Sequence, residues 1–182
     1  PSSRETHHSN VFFNDRYTLL DDELFLIGGI KFEYHSLAGS NVQPSGKILW
    51  TPEEKQTYWV SVARAVRNPS RLERDIVSVT PVGMMVFPGL GNEAIESEEL
   101  LAWEAGARWR LAPGVLLDVA AFYNQHRNGI YYRNTGSAIV FDNGMKADDY
   151  GFEAALDWTL EEWLHGRVSY SFLKNDATSP EG

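Results

Sequence analysis

Apolar and polar residues alternate one by one along much of this chain, and Tyr150 to Trp158 shows the pattern most fully. In an extended segment Tyr150, Phe152, Ala154, Leu156 and Trp158 share one face, while Gly151, Glu153, Ala155 and Asp157 share the other. One side is apolar with an aromatic at each end; the other is small or acidic. Such a strand reaches about 26 Å at ~3.3 Å per residue, or roughly 20 Å of height at the tilt of a barrel strand. A single strand of this kind suits any antiparallel sheet, so the weight rests on repetition.

The pattern repeats. Trp103, Ala105, Ala107, Trp109 and Leu111 oppose Glu104, Gly106, Arg108 and Arg110. Val115, Leu117, Val119, Ala121 and Tyr123 oppose Asp118, Ala120 and Asn124, with Leu116 and Phe122 as exceptions. Val168, Tyr170 and Phe172 oppose Arg167, Ser169 and Ser171. Leu26, Gly28, Ile30, Phe32 and Tyr34 oppose Gly29, Lys31, Glu33 and His35, with Ile27 as the exception. In a soluble sandwich the polar face is the outside. In a membrane barrel the same charges line a wet lumen, and the apolar face forms a band of about 25 Å with aromatic girdles at both rims. Aromatic placement and turn lengths separate the two.

Composition narrows the classes. The 182 residues suffice for one domain. A formal net charge of −9 argues against non-specific nucleic-acid binding. Aromatics at 13 %, with six Trp and eight Tyr, fit interfacial belts or sugar-binding surfaces. The absence of cysteine excludes disulfide scaffolds and Cys-based zinc sites. No run of ~18 apolar residues predicts a membrane helix, which says nothing against a barrel. Pro1 to Arg4 open no hydrophobic stretch, so no signal peptide is expected.

Eight strands are expected, over 9–20, 23–36, 43–51, 56–67, 99–111, 115–126, 148–159 and 166–175. Their connections alternate in length. Asp21-Asp22, Thr51 to Lys55, Ala112-Pro113-Gly114 and Glu161 to His165 read as short turns. Between them lie 37–42, 68–98 and 127–147, two of which are long. Short turns on one side and long loops on the other are the habit of outer-membrane barrels. Helix signals compete in three places. Thr51-Pro52-Glu53-Glu54 has a cap, a proline and acids in helical order; Ser97-Glu98-Glu99-Leu100 and Phe152 to Leu164 carry helix formers. Against them, Gln56 to Val62 is rich in strand formers, and Gly106 and Gly151 weaken helices.

Ordered landmarks then accumulate. Ser45 to Pro52 ends a strand in Trp50-Thr51-Pro52; Tyr58 to Ser70 rises to Arg67-Asn68-Pro69-Ser70. Gly91-Asn92-Glu93 and Ser97-Glu98-Glu99 lead to Trp103-Glu104-Ala105-Gly106; Ala121-Phe122-Tyr123-Asn124 and Tyr150-Gly151-Phe152-Glu153 follow. In this order and spacing the chain resembles the β-barrel portion of TonB-dependent outer-membrane receptors over most of residues 10–175. It departs at Glu93, where the family pattern has Pro. The resemblance implies an all-β, antiparallel transmembrane β-barrel segment of about eight meandering strands, with short periplasmic turns and long extracellular loops. Family members close about 22 strands around a plug, so residues 1–182 are expected to be a partial barrel without plug domain or C-terminal strands. It further implies a Gram-negative outer-membrane location. The expected partners are membrane lipid, the TonB complex through the missing plug, and a small nutrient ligand such as a ferric siderophore. No nucleic acid and no cofactor are expected.

The candidate chemistry sits in the loops. Arg64, Arg67, Arg71 and Arg74 cluster near the start of the longest loop, where they would either hold an anionic ligand or be neutralised by neighbours such as Glu73 and Asp75. Arg71, Arg74, Tyr131, Tyr132 and Arg133 are the candidate ligand-binding residues. Aromatics there would stack on a siderophore, a sugar or a corrinoid. His7-His8 would bind a transition metal only by sharing a geometry that neighbours on a strand rarely have, and Asp148-Asp149, a candidate calcium pair, lacks the rest of a loop motif. No Ser/His/Asp set, phosphate loop or metal-ligand spacing stands out, so neither an enzyme nor a metal site is expected. The competing expectation is a soluble β-rich carbohydrate-binding module that uses surface aromatics.

Overall fold

The computed structural model describes residues 5–82 and 85–180, with backbone alone considered over 78–89. Ten strands form one sheet. They are β1 (His8–Leu20), β2 (Leu24–His35), β3 (Gly39–Glu53), β4 (Gln56–Arg67), β5 (Val77–Val82), β6 (Met85–Leu90), β7 (Glu98–Ala112), β8 (Val115–Asn134), β9 (Ile139–Glu161) and β10 (Leu164–Thr178), with one short helix, α1 (Arg71–Asp75). The wall runs β1-β2-β3-β4-β7-β8-β9-β10, every neighbour antiparallel. The hairpin β5–β6 lies outside this meander and joins β9 in parallel through Gly89–Ile139 and Leu90–Val140. It takes the stretch of β9 beyond Lys146, where the pairing with β10 stops.

The eight expected strands are present, and the helix signals are overridden. Trp50 pairs with Tyr58 and Glu53 with Gln56, so Thr51 to Glu53 continue a ladder instead of opening a helix. Glu98 to Leu101 pair with Arg67 to Arg64, and Phe152 to Glu161 lie between β8 and β10. Backbone groups already held on two sides leave no donors for helix formation.

The connections are tighter than expected on one side. β3 begins at Gly39, so 37–42 contributes only a tight turn, closed by the Ala38 N–H to the His35 carbonyl at 3.0 Å. Segment 127–147 is mostly strand: β8 and β9 run on to a turn over 135–138. Twenty residues of β8 extend roughly 65 Å at ~3.3 Å each, well beyond an apolar band of about 25 Å, so the two strands project past it. A bulge between His126 and Gly129, with Asn128 at φ 56°, marks where the projection begins.

Register places the apolar alternation on one face throughout. Tyr17, Leu26, Ile48 and Val60 are successive neighbours, as are Trp103, Tyr123 and Tyr150, and Leu117, Leu156 and Val168. These side chains are not buried. Val60 is 56 %, Val168 57 % and Tyr17 65 % exposed, while among the described residues burial of apolar side chains falls on Phe25, Pro69, Ile95, Ala138, Phe141 and Ala147. A wall that leaves its apolar face open is stable only against an apolar surround.

Candidate functional site

Two aromatic rows bound the apolar face. At the turn side, Trp50 stacks on Tyr58 at 5.3 Å and Tyr58 meets Trp109 edge-on at 6.0 Å; the Trp109 indole N–H donates to the Tyr58 hydroxyl at 3.1 Å. At the other side Trp103, Tyr123 and Tyr150 stand in line. Trp103 and Trp109 are six residues apart on one strand, about 20 Å. Indole and phenol rings with one wet end suit the two edges of a hydrocarbon layer.

The opposite face is charged and internally paired. Arg108 binds Asp118 through two bonds of 2.6 and 3.1 Å, and Arg167 lies 3.6 Å from Asp157. The Trp59 indole N–H donates to Glu104 at 2.5 Å, with the Lys47 ammonium 5.4 Å from the Trp59 ring. Trp59 lies flat across Gly106, where an added Cβ would fall 2.2 Å from the indole. Glu104 and Glu153 line one concavity of about 440 Å³ with Ser61, Ala63 and Asn124. Ordered polar side chains on this face describe a wetted lumen wall.

Beyond the second aromatic row, the described residues of segment 68–98 form a cap fastened at both ends. Ser70 caps α1: its hydroxyl accepts from the Glu73 N–H at 3.3 Å, and its own N–H donates to the Glu73 carboxylate at 2.6 Å. Pro69 is fully buried, and Ile95 is buried. Asn68 donates to Glu33 at 2.5 Å and accepts from Asn41 and Ser97 at 3.0 and 2.9 Å. Arg74 donates to the Leu37 carbonyl. At the far end Asn143 holds Glu96, and Glu98 accepts the Ile130 N–H at 2.6 Å. Arg67 bonds both Glu98 and Glu73. Burial alone would raise the Glu73 carboxyl, but hydrogen bonds from Arg67 and Ser70 outweigh it and hold Glu73 below its ordinary value.

The sequence matches the family model "TonB dependent receptor-like, beta-barrel" over residues 1–182. The chain belongs to this family. It is 26 % identical over 178 residues to the ferrienterobactin receptor of Escherichia coli (strain K12), a match that covers 88 % of this chain and 24 % of that protein. Its fold resembles the siderophore receptor PirA from Pseudomonas aeruginosa, with TM-score 0.79 at 21 % identity, covering 93 % of this chain and 34 % of that one. PirA from Acinetobacter baumannii gives TM-score 0.79 at 18 % identity, covering 92 % and 27 %. The chain therefore spans about a quarter to a third of the length of these relatives. The TonB-dependent receptor fold sets the soluble sugar-binding alternative aside.

Within this family frame the arginines of the long loop do not form one cluster. Arg64 faces the apolar side and binds Glu99 at 2.7 Å; Arg67 belongs to the clasp; Arg71 lies 3.8 Å from Asp75; Arg74 meets Leu37. Tyr131 and Arg133 are half-buried, and Arg133 donates to Asp142 at 2.6 Å. Tyr132 is 68 % exposed, its ring 4.8 Å from that of Phe141. The structure thus splits the five candidates between α1 and the projecting hairpin. Asp148 and Asp149 bind Arg127 and His126 separately, at 2.9 and 2.8 Å, and His8 lies 3.4 Å from Glu33 while His7 is beside Glu5. The joining residues Asn68, Asn143 and Glu98 escape a reading by residue type, because their partners lie about 15 to 47 positions away in sequence.

Proposed function

We propose that this chain forms part of the barrel wall and mouth of an outer-membrane receptor that imports a scarce nutrient, with a ferric siderophore as the ligand class. The observation that carries the reading is the continuous apolar face bounded by two aromatic rows and backed by a charged face. It requires lipid on one side and a wetted interior on the other. The likeness to a ferrienterobactin receptor and a siderophore receptor supports the ligand class.

Residues 1–182 supply a partial barrel in this reading. A plug within the lumen would meet the face that carries Glu104, Arg108 and Glu153, and would connect the receptor to the TonB complex. The ligand meets the cap and the projecting hairpin. Tyr132, exposed and backed by Phe141, offers an aromatic plane on one face of β8, with Tyr131 and Arg133 on its other face; Arg71 and Arg74 stand on α1. Stacking and charge-assisted bonds from these groups suit a flat, anionic iron chelate.

The test places single cysteines at Phe152 and Glu153 in the full-length protein, each carrying a fluorophore in bilayers of brominated lipid. Quenching at 152 with little at 153 is the expected result. Stronger quenching at 153 reverses the assignment of faces and defeats the proposal. Growth of an iron-starved deletion strain complemented with the receptor, across hydroxamate and catecholate chelates, tests the ligand class.

A further inference from the structure

Two Asn-Gly pairs occur in this sequence, Asn128-Gly129 and Asn143-Gly144, and the fold sets them across from each other on β8 and β9. An asparagine followed by glycine is open to attack on its side-chain carbonyl carbon by the glycine's own backbone nitrogen, because no Cβ stands in the way. How firmly each asparagine is held decides which pair reacts.

Asn143 is held at both polar atoms of its side chain. Its Oδ1 accepts from the Glu96 N–H, and its Nδ2 donates to the Glu96 and Asn128 carbonyls. Pro180 lies over Gly144, where an added Cβ would fall 2.9 Å from its ring. Asn128 is held far less. The β8–β9 register skips it and the β7–β8 ladder stops at Arg127, so it pairs on neither side. Its φ of 56° lies in the left-handed region, which asparagine tolerates better than most side chains. Its backbone carbonyl receives the Asn143 amide, but its own side-chain amide bonds to no described residue.

We propose that Asn128 is a site of spontaneous deamidation and isomerisation, and that the change loosens the cap from the projecting hairpin. The Gly129 nitrogen bonds to the Asn128 Cγ, the Cγ–Nδ2 bond breaks, and ammonia departs with the proton of the Gly129 N–H. Water then opens the cyclic imide at either carbonyl and leaves a carboxylate at position 128. Gly129 is buried beneath Met145, so the ring closes only when this stretch opens, and local opening paces the reaction. Water attack at the main-chain carbonyl gives isoaspartate, whose backbone runs through the former side chain and is one methylene longer. The carbonyl that accepts from Asn143 at 2.8 Å then becomes a free carboxylate, and the Ile130 N–H is moved off Glu98, its acceptor at 2.6 Å. Both bonds belong to the far fastening of the cap.

The test incubates the full-length receptor in detergent micelles at mildly alkaline pH in isotope-labelled water, and maps aspartate and isoaspartate by peptide mass spectrometry. Conversion at 128 should run at least about tenfold ahead of conversion at 143, as the three bonds that hold Asn143 imply. Hydrogen exchange of 91–97 should quicken as 128 converts. It should stay constant in Asn128→Gly, which keeps the left-handed backbone and cannot react. Asn143→Ala should speed conversion at 128 by opening the stretch more often. Conversion at 143 equal to or ahead of that at 128 overturns the site, and so does no conversion at 128 under conditions in which a denatured sample converts. Conversion at 128 with unchanged exchange at 91–97 overturns its effect on the cap.

Discussion

The side chain of Asn143 binds the backbone of Glu96 at two points: its Oδ1 accepts from the Glu96 N–H at 2.7 Å and its Nδ2 donates to the Glu96 carbonyl at 3.1 Å. The same Nδ2 donates to the Asn128 carbonyl at 2.8 Å, beside the bulge. One amide thus registers the cap against the projecting hairpin. Asn143→Ala removes three bonds at once. At about 1 kcal/mol per bond, local opening of 91–97 and 127–131 should become at least tenfold more frequent. Hydrogen exchange of those amides, with β7 and β8 near their turn unchanged, checks it.

The Trp59 ring occupies the space above Gly106. Gly106→Ala should displace the indole and break its bond to Glu104, at a cost of about 1–3 kcal/mol. A shift in tryptophan emission together with lowered thermal stability is expected. An unchanged spectrum would mean that the ring does not depend on the glycine.

Glu73 sits below its ordinary value of 4.5 because Arg67 and Ser70 bond its charged form. A carboxyl lowered in the folded state stabilises the cap above the unfolded value, and that contribution disappears as pH falls through the lowered value. Protection of α1 from proteolysis should therefore hold from pH 7 to about 5 and decline below 4.5. Glu73→Gln should lower protection at pH 7 and flatten the profile.

Tyr132 offers its ring to solvent, supported by Phe141. On the proposed function, Tyr132→Ala should weaken binding of an iron chelate about tenfold, or roughly 1.4 kcal/mol, and Tyr132→Phe should restore most of it. Titration of the full-length receptor with the iron chelate reads both.

The wall was legible because lipid and lumen impose opposite demands on successive residues from Tyr150 to Trp158 and their neighbours. Beyond the second aromatic row that demand ends. Asn128 to Asp142 meet water or protein on both sides, and the bulge after His126 resets the period, so a projecting hairpin reads as loop. The capping box of α1 was present as Ser70 and Glu73, yet it holds a helix of only five residues, too short for periodicity to reveal. Of the candidate site, residue types singled out Arg71, Arg74, Tyr131, Tyr132 and Arg133, which the fold divides between α1 and the projecting hairpin. The dispersal of the arginines depends on Leu37, Glu98 and Glu99, partners distant in sequence.

The parallel contact of β6 with β9 sets an order of events. Gly89 and Leu90 are made long before Ile139 and Val140, and their bonds need a strand end that exists only once β8 has turned back at 135–138. Closing so long a separation is slow compared with forming a hairpin. Docking of the β5–β6 hairpin therefore depends on wall strands that follow it in sequence, so a change that loosens the β8–β9 turn would disturb the mouth without touching the hairpin itself.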